Sequence, residues 1–482
     1  MIEADGELGE LPEGWQWRRV AEVCEINPRR PKSFGLAATT LVPFVPMDAV
    51  DAASGIITGA RLRPLNEVER GFTCFQNGDV IFAKITPCME NGKSALVTSL
   101  EGPCAFGSTE FLVLRPGPEI EGAFLLQIVR QQSFRNAAQN EMAGAVGQAR
   151  VPVGFLANAM IPVPPRKEQR RLLATLAPMR EEVDRQRLRL DRLRAVVGRT
   201  RRSVLAAAFR GELTSGWRQH HPAISDGATV LERILSERAG TFVNTAVAAK
   251  RPFKRPEIGI GDEESPSLPA AWTWAPLEAL GEINLGKMRS PEFHSGPLMR
   301  PYLRVANVKS GGRIDLGSVL SMNFEPHEQE HFALRAGDIV LSEGQSLELV
   351  GQSAIFREGP DGLCFQKTLH RFRRWHSAPS SEFMQYVFSH YVQNGIFPRY
   401  ASMTVNIAHL TLERLKPVPI PLPPLEEQQE IVRIIDRWFA VLDDVERRIA
   451  RGLALCERLR ESLLQKAFRG ELLAPLGTTS LP

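Results

Sequence analysis

A chain of 482 residues is too long for one compact core and implies several domains or elements. With 43% hydrophobic residues, 24% charged residues and a net charge of only +4, the composition is that of an ordinary globular protein, and a nucleic-acid partner must be argued from local patches rather than overall charge. The six scattered cysteines (Cys24, Cys74, Cys88, Cys104, Cys364, Cys456) form no disulfide framework or zinc spacing, the acidic start MIEADGELGELPEGW is unlike a secretory signal, and no apolar run nears the ~18 residues of a membrane span, so we expect a cytoplasmic protein without a membrane segment.

In chain order the first element, residues 1–164, has short apolar runs such as Val80-Ile81-Phe82, punctuated by Gly, Pro, Asn and Asp. That pattern predicts a strand-rich α+β domain. Pro162, Pro164 and Pro165 end it, because proline continues neither a helix nor a central strand. A long helix follows over 165–213. Its apolar positions, Leu172, Leu176, Met179, Val183, Leu190, Leu193, Val197 and Val204, alternate steps of four and three, the pattern of a coiled-coil seam. About 44 residues of helix span roughly 65 Å. Residues 214–267 read as a connector with a short helix near Ile224 to Arg238, capped by Asp226, and then linker composition: the basic cluster Lys250 to Arg255 followed by Asp262-Glu263-Glu264-Ser265.

The chain then repeats itself. LPEGWQWRRVAEVCEIN at 11–27 returns as LPAAWTWAPLEALGEIN at 268–284, and NGDVIFAK at 77–84 as AGDIVLSE at 336–343. IPVPPRKEQ at 161–169 returns as IPLPPLEEQ at 420–428, and SVLAAAFRGEL at 203–213 as SLLQKAFRGEL at 462–472. The offset settles at 259 residues, so one module is written twice. A second α+β domain therefore covers 268–423 and a second long helix 424–475, with a tail at 476–482. The second seam runs through Ile431, Ile435, Trp438, Leu442, Ile449, Leu459 and Leu463. Over 166–212 there are 14 Lys/Arg against 6 Asp/Glu, and over 425–472 there are 9 against 10, a difference that favours pairing these helices with each other. Antiparallel pairing would give a pseudo-two-fold axis suited to DNA, whose own local two-fold axes lie across its length. A connector of this length accommodates either orientation, and helices packed only on their own domains are the alternative.

The ordered set of Pro-Pro-x-x-Glu-Gln helix starts (Pro164 to Gln169, Pro423 to Gln428), Phe-Arg-Gly-Glu-Leu helix ends (Phe209 to Leu213, Phe468 to Leu472) and repeated Gly-Asp strands (Gly78-Asp79, Gly337-Asp338) resembles the specificity subunits of type I restriction–modification systems, over nearly the whole chain. The resemblance implies two target-recognition domains separated by two long helices, each domain reading half of an asymmetric bipartite site in double-stranded DNA. It implies two methyltransferase subunits and two restriction subunits as partners, with S-adenosylmethionine, ATP and Mg on those partners and no cofactor on this chain. The alternative is a coiled-coil scaffold, or another bipartite DNA-binding protein without restriction partners.

Candidate DNA contacts lie on loops after strands. Pro87-Cys88-Met89-Glu90-Asn91-Gly92-Lys93-Ser94 superficially matches a phosphate-binding loop, but Pro87 stands where the backbone needs glycine. We read it as a polar loop presenting Lys84, Thr86, Asn91 and Lys93, whose side chains suit phosphates and base edges. Ser108 and Thr109 are candidates in the segment Gly107 to Glu110, which corresponds roughly to Phe365 to Thr368 of the second module. In the second module the candidates are Arg304, Asn307 and Lys309 on a strand over 302–309, with Gln345, Gln366 and Lys367. The recurring tryptophans (Trp15, Trp17, Trp272, Trp274) read as core rather than stacking platforms. Neither an Asn/Asp-Pro-Pro-Tyr/Phe sequence, a glycine-rich cofactor loop, a nuclease carboxylate cluster nor a metal-spaced histidine set occurs, so we expect no catalytic residue and no metal here.

Overall fold

The computed structural model describes residues 9–31, 34–98, 100–143, 149–221, 225–243, 254–257, 267–404 and 407–472. The chain divides into two compact units, Met1–Asp191 with Ala450–Pro482, and Arg192–Ile449. Each unit joins one strand-rich domain to the start of one long helix and the end of the other.

In the first unit a four-stranded antiparallel sheet has the order Cys24–Ile26, Phe111–Pro116, Val80–Ala83, Ser94–Leu96. A second sheet runs Arg61–Pro64, Leu41–Val45, Ala105–Gly107, Thr73–Phe75, with Leu41–Val45 parallel to Ala105–Gly107. The second unit repeats the first sheet as Gly281–Leu285, Leu369–Arg374, Ile339–Ser342, Ser353–Ile355, and the second as Leu320–Asn323, Met299–Leu303, Cys364–Phe365. The duplication read in the sequence is thus a duplication of topology. The recurring Gly-Asp pairs brace these sheets. The buried Asp79 carboxylate accepts both arms of Arg115 at 2.8 Å, and Asp338 accepts Arg373 at 2.7 and 2.6 Å.

The first and last strands of each domain pair antiparallel, Gln16–Arg19 with Met160–Val163 and Thr273–Pro276 with Pro419–Leu422. A two-stranded ribbon tolerates the prolines that a central strand would not. This pairing sets the tryptophan beside the helix start: Trp15 Nε1 donates to Glu168 at 2.7 Å and Trp272 Nε1 to Glu427 at 2.8 Å. The next residue turns back, Gln169 Nε2 donating to the Pro164 carbonyl at 2.7 Å and Gln428 Nε2 to that of Pro423 at 2.8 Å. The Pro-Pro-x-x-Glu-Gln sequence is therefore a joint fixing helix to domain; Trp15 and Trp272 are core, as expected, whereas Trp17 and Trp274 are only half-buried.

From these joints run two helices of 44 residues, Arg166–Phe209 and Leu425–Phe468. Each ends in the same cap. Gly211 and Gly470 take positive φ (74° and 73°), and Glu212 N and Glu471 N reach back to the Ala207 and Lys466 carbonyls, the Schellman arrangement that closes a helix. The phenylalanine before the cap is the anchor. Phe209 lies edge-on to Phe383 at 5.7 Å in the second unit, and Phe468 packs on Phe124 at 5.1 Å in the first.

The helices pair antiparallel in both units. In the first, Arg187 meets Glu457 at 2.7 Å, and Leu190 lies so close to Gly452 that a Cβ there would sit 2.9 Å from Leu190 Cδ1. In the second, Arg201 contacts Asp443 and Glu446, while Val204 to Phe209 share a core cluster with Ile431 and Ile435.

The seam needs correction at four positions. Leu172, Leu176, Val197, Ile431, Ile435, Leu442 and Ile449 are buried, and Val183, Leu190 and Leu463 half-buried, as expected. Met179 (42% exposed), Leu193 (50%), Trp438 (47%) and Leu459 (45%) face outward instead. Beside three of them the following residue, Arg180, Phe439 or Arg460, takes the inner place. The lane has to serve two neighbours, the partner helix and the domain at the joint. Gln127 accepts from Arg180 in the first unit, and the equivalent Tyr386 packs edge-on to Phe439 at 5.6 Å in the second. A strict 3.5-residue repeat also drifts about 20° per heptad on a straight helix, which moves such a stripe off a fixed neighbour.

In the connector, a helix over Gly227–Val243 opens on Asp226, whose carboxylate accepts from Thr229 N at 2.8 Å. The linker residues 250–253 and 262–265 and the tail 476–482 lie outside the described residues.

Replacing Trp272 by Phe removes the donor to Glu427, a carboxylate 1% exposed. We expect chemical denaturation to show a loss of about 1–3 kcal/mol, with the helix content of the folded protein unchanged by circular dichroism.

Candidate nucleic-acid interface

In the first unit, strand Val80–Ala83 delivers Lys84 to the domain surface, where its backbone N donates to Glu110 O at 2.9 Å. Lys84 and Thr109 line one depression of about 260 Å³ together with Arg30, a residue the sequence reading missed. Ser108 sits at its strand end, with Ser108 N donating to Val45 O at 3.3 Å. Nearby, Arg150 pairs with Glu110 at 2.8 Å, and that hydrogen bond holds the Glu110 carboxyl below its ordinary range. Thr86 is turned toward Glu90 at 3.4 Å. Asn91 and Lys93 belong elsewhere: they line a separate arginine-rich cleft, and Lys93 Nζ donates to Met47 O at 2.8 Å. The structure therefore divides one predicted loop between two places.

The second unit uses the same scaffold with different side chains. The parallel register Leu303↔Phe365 matches Val45↔Gly107 of the first unit. It brings Arg304, Gln366 and Lys367 to adjacent strand ends, with Gln366 N donating to Leu303 O at 2.8 Å and Lys367 exposed. Ser108-Thr109 and Gln366-Lys367 thus occupy equivalent positions. Gln345 is half-buried in a short strand paired with Ala408, its Oε1 accepting from Ser346 N at 3.2 Å. Lys309 is exposed and 3.5 Å from Asp315.

Two expectations fail here. The predicted single strand over 302–309 is a strand to Leu303, a 3-10 turn Val305–Asn307 and a second short strand Val308–Lys309. Asn307 is not a DNA contact: it has no exposed surface. Its side chain accepts from Arg304 N at 3.0 Å and donates to Asp315 O at 2.8 Å, so its amide holds the turn that the sequence pattern concealed.

The reading also missed Lys287. Only 6% exposed, it pairs with Glu328 at 2.5 Å and lies 4.0 Å over the Phe293 ring, a buried structural ion pair. Among the described residues no cluster of His, Cys, Asp and Glu is suited to hold a metal, and no helix is long and apolar enough to cross a membrane.

With this geometry in hand, comparison with known proteins identifies the class. The family model for the type I restriction modification DNA specificity domain matches residues 12–189 and 271–453, one match per repeat. The chain belongs to the family of type I restriction–modification specificity subunits, the non-catalytic components of those systems. It is similar to the EcoAI specificity subunit of Escherichia coli, 26% identical over 472 residues that cover 89% of this chain and 78% of the relative. It is 25% identical to the EcoKI specificity subunit of Escherichia coli K12 over 474 residues, covering 97% and 91%. A solved chain from work on complex assembly and conformational transition of the type I R-M system shares the fold, with a TM-score of 0.65 at 22% identity, covering 96% of this chain and all of that one.

Replacing Asn307 by Ala tests the correction. We expect a loss of about 1–3 kcal/mol in stability from the orphaned backbone groups, with DNA affinity of the folded protein unchanged in a filter-binding assay.

Proposed function

We propose that this specificity subunit reads an asymmetric, bipartite site in double-stranded DNA, one half-site per recognition domain, in the cytoplasm. The observation that carries the reading is the repeated strand-end platform. The same backbone geometry presents Ser108 and Thr109 in one domain and Arg304, Gln366 and Lys367 in the other. Identical platforms with unlike side chains suit one reading mode applied to two different base sequences. Lys84 and Lys367 supply charge for phosphate or guanine acceptors, and Gln366, Gln345 and Thr86 supply amides and a hydroxyl. The number of helical turns between the domains would then set the number of base pairs between half-sites.

The same reading gives the outward apolar positions a use. Met179, Leu193, Trp438 and Leu459 are large side chains exposed on the long helices. Such residues mark contact surfaces when they recur along one element. Two methyltransferase subunits would dock there, and two restriction subunits would complete the assembly. S-adenosylmethionine, ATP and Mg would be held by those partners, which would also flip and modify the target base.

Substituting Ala for Lys84, Arg304 and Lys367 together, in the subunit assembled with its methyltransferase partner, tests the reading. We expect specific DNA affinity to fall at least tenfold and the slope of log affinity against log salt to shrink by about one for each phosphate no longer neutralised. An unchanged preference and slope would remove these residues from the interface and leave a protein-binding scaffold as the better account.

A further inference from the structure

In the first unit the inner lane of the helices opens onto a cleft of about 620 Å³ against the recognition domain. Its walls carry Lys93 from the loop, Arg130 and Arg135 from the domain helices, and Arg180, Arg458 and Arg460 from the long helices. Arg187 and Glu457 also reach it, already paired with each other at 2.7 Å. Glu461 is the remaining acid on the wall, so cations outnumber carboxylates.

These guanidiniums are held by neutral acceptors. Arg130, 8% exposed, donates to the carbonyls of Ala52, Ala53, Gly92 and Ser94 at 2.7–3.2 Å. Arg460 donates to the same Ala53 carbonyl at 2.6 Å, Arg135 to Glu90 O and to Gln132 at 2.7 Å, and Arg180 to Gln127. Carbonyls and amides orient a guanidinium without cancelling its charge. The Nε atoms of Arg135 and Arg180 are buried with no hydrogen-bond partner. Burial, with the neighbouring charges of Arg460, Arg180 and Arg135, pulls Arg130 down to about 10. Weaker opposing fields come from Asp51 toward Arg130 and Asp184 toward Arg180, while at Arg135 the field of Glu461 exceeds that of Arg460 and is outweighed by burial.

The second unit contains the matching cleft, of about 550 Å³, and it is built differently. At the 259-residue offset Lys93 becomes Gln352, Arg130 becomes Ser389 and Arg180 becomes Phe439. Arg460 becomes Arg201, which is neutralised by Asp443 and Glu446. The fold therefore does not demand the arginines. The first copy of the cleft is crowded with arginines, whereas the second carries one arginine, Arg202, and one acid, Glu348, among neutral lining residues.

We propose that the first-unit cleft is an oxyanion site of the phosphate class, and that the second unit has no counterpart. The terminal amino groups of Arg130 are taken up by four carbonyls, so it adds charge to the cleft, while Arg135, Arg180 and Arg460 make fewer hydrogen bonds and keep amino donors that suit the forked geometry of phosphate oxygens. The occupant is a backbone phosphate of bound DNA or a free phosphate compound. The DNA source rests on the function proposed above; the anion site does not.

The test titrates inorganic pyrophosphate calorimetrically into the specificity subunit assembled with its methyltransferase partner, and measures DNA affinity across salt concentrations in the same samples. The variants are Arg180→Gln with Arg460→Gln, and Arg180→Phe, which installs the residue the second unit carries. Arg458→Gln, at an exposed position, serves if the double variant fails to fold, and Gln352→Ala in the second cleft is the control. We expect saturable pyrophosphate binding that weakens at least tenfold in the cleft variants and not in the control. A parallel drop of about one in the salt slope assigns the occupant to DNA. Abolished pyrophosphate binding with DNA behaviour unchanged assigns it to a free phosphate compound. A change in the DNA slope alone supports the site with DNA as its only occupant. If variants and wild type are alike in both measurements, the proposal is overturned. If the wild type binds no DNA at all, the functional reading fails and pyrophosphate alone decides the cleft.

Discussion

The arrangement depends on one joint, made twice. A tryptophan indole donates to a glutamate in the first turn of each long helix, and the glutamine beside that glutamate turns back to the proline carbonyl preceding the helix. Buried polar groups are costly unless paired, and Gln169, Glu427 and Gln428 are buried, so these hydrogen bonds hold each helix on its domain. Glu427 is held further by Thr214 and Arg218, both just past the end of the first long helix. In the second unit, then, the end of one helix and the start of the other are tied to the same carboxylate.

With the helices fixed in phase, their inner and outer surfaces acquire different chemistry. The positions facing both partner helix and domain take Arg180, Phe439 and Arg460, long side chains that fill space between two neighbours. The large apolar residues that a simple two-stranded seam would bury, Met179, Leu193, Trp438 and Leu459, are left outside. An arginine-lined cleft within the first unit and outward-facing apolar residues on each helix go with that setting.

Much of this was legible in the sequence because it depends on period and repetition. A constant offset of 259 residues marks the duplication, prolines mark where domain ends and helix begins, and steps of four and three mark helices that do run 44 residues each. The first helix even runs through Pro178, an exposed position where a breaker would be expected. What stayed hidden depends on neighbours distant in sequence. Asn307 looked like a polar residue on offer because its partners, Asp315 and the Arg304 backbone, meet only when the turn closes. Likewise the arginine cleft draws on residues from 93 to 460, each ordinary in its own segment. The one signal available was the 259-residue comparison itself, in which Lys93, Arg130 and Arg180 face neutral counterparts.

On the proposed reading, helix length is converted into distance along DNA. Removing residues 186–192 and 445–451 together deletes one heptad from each helix and keeps the antiparallel pairing in register, shortening the rods by roughly 10 Å. Methylation profiling of a host carrying the assembled variant should then show the same two half-sites separated by about three fewer base pairs. Methylation of the original, unshortened target at the wild-type level would contradict the account.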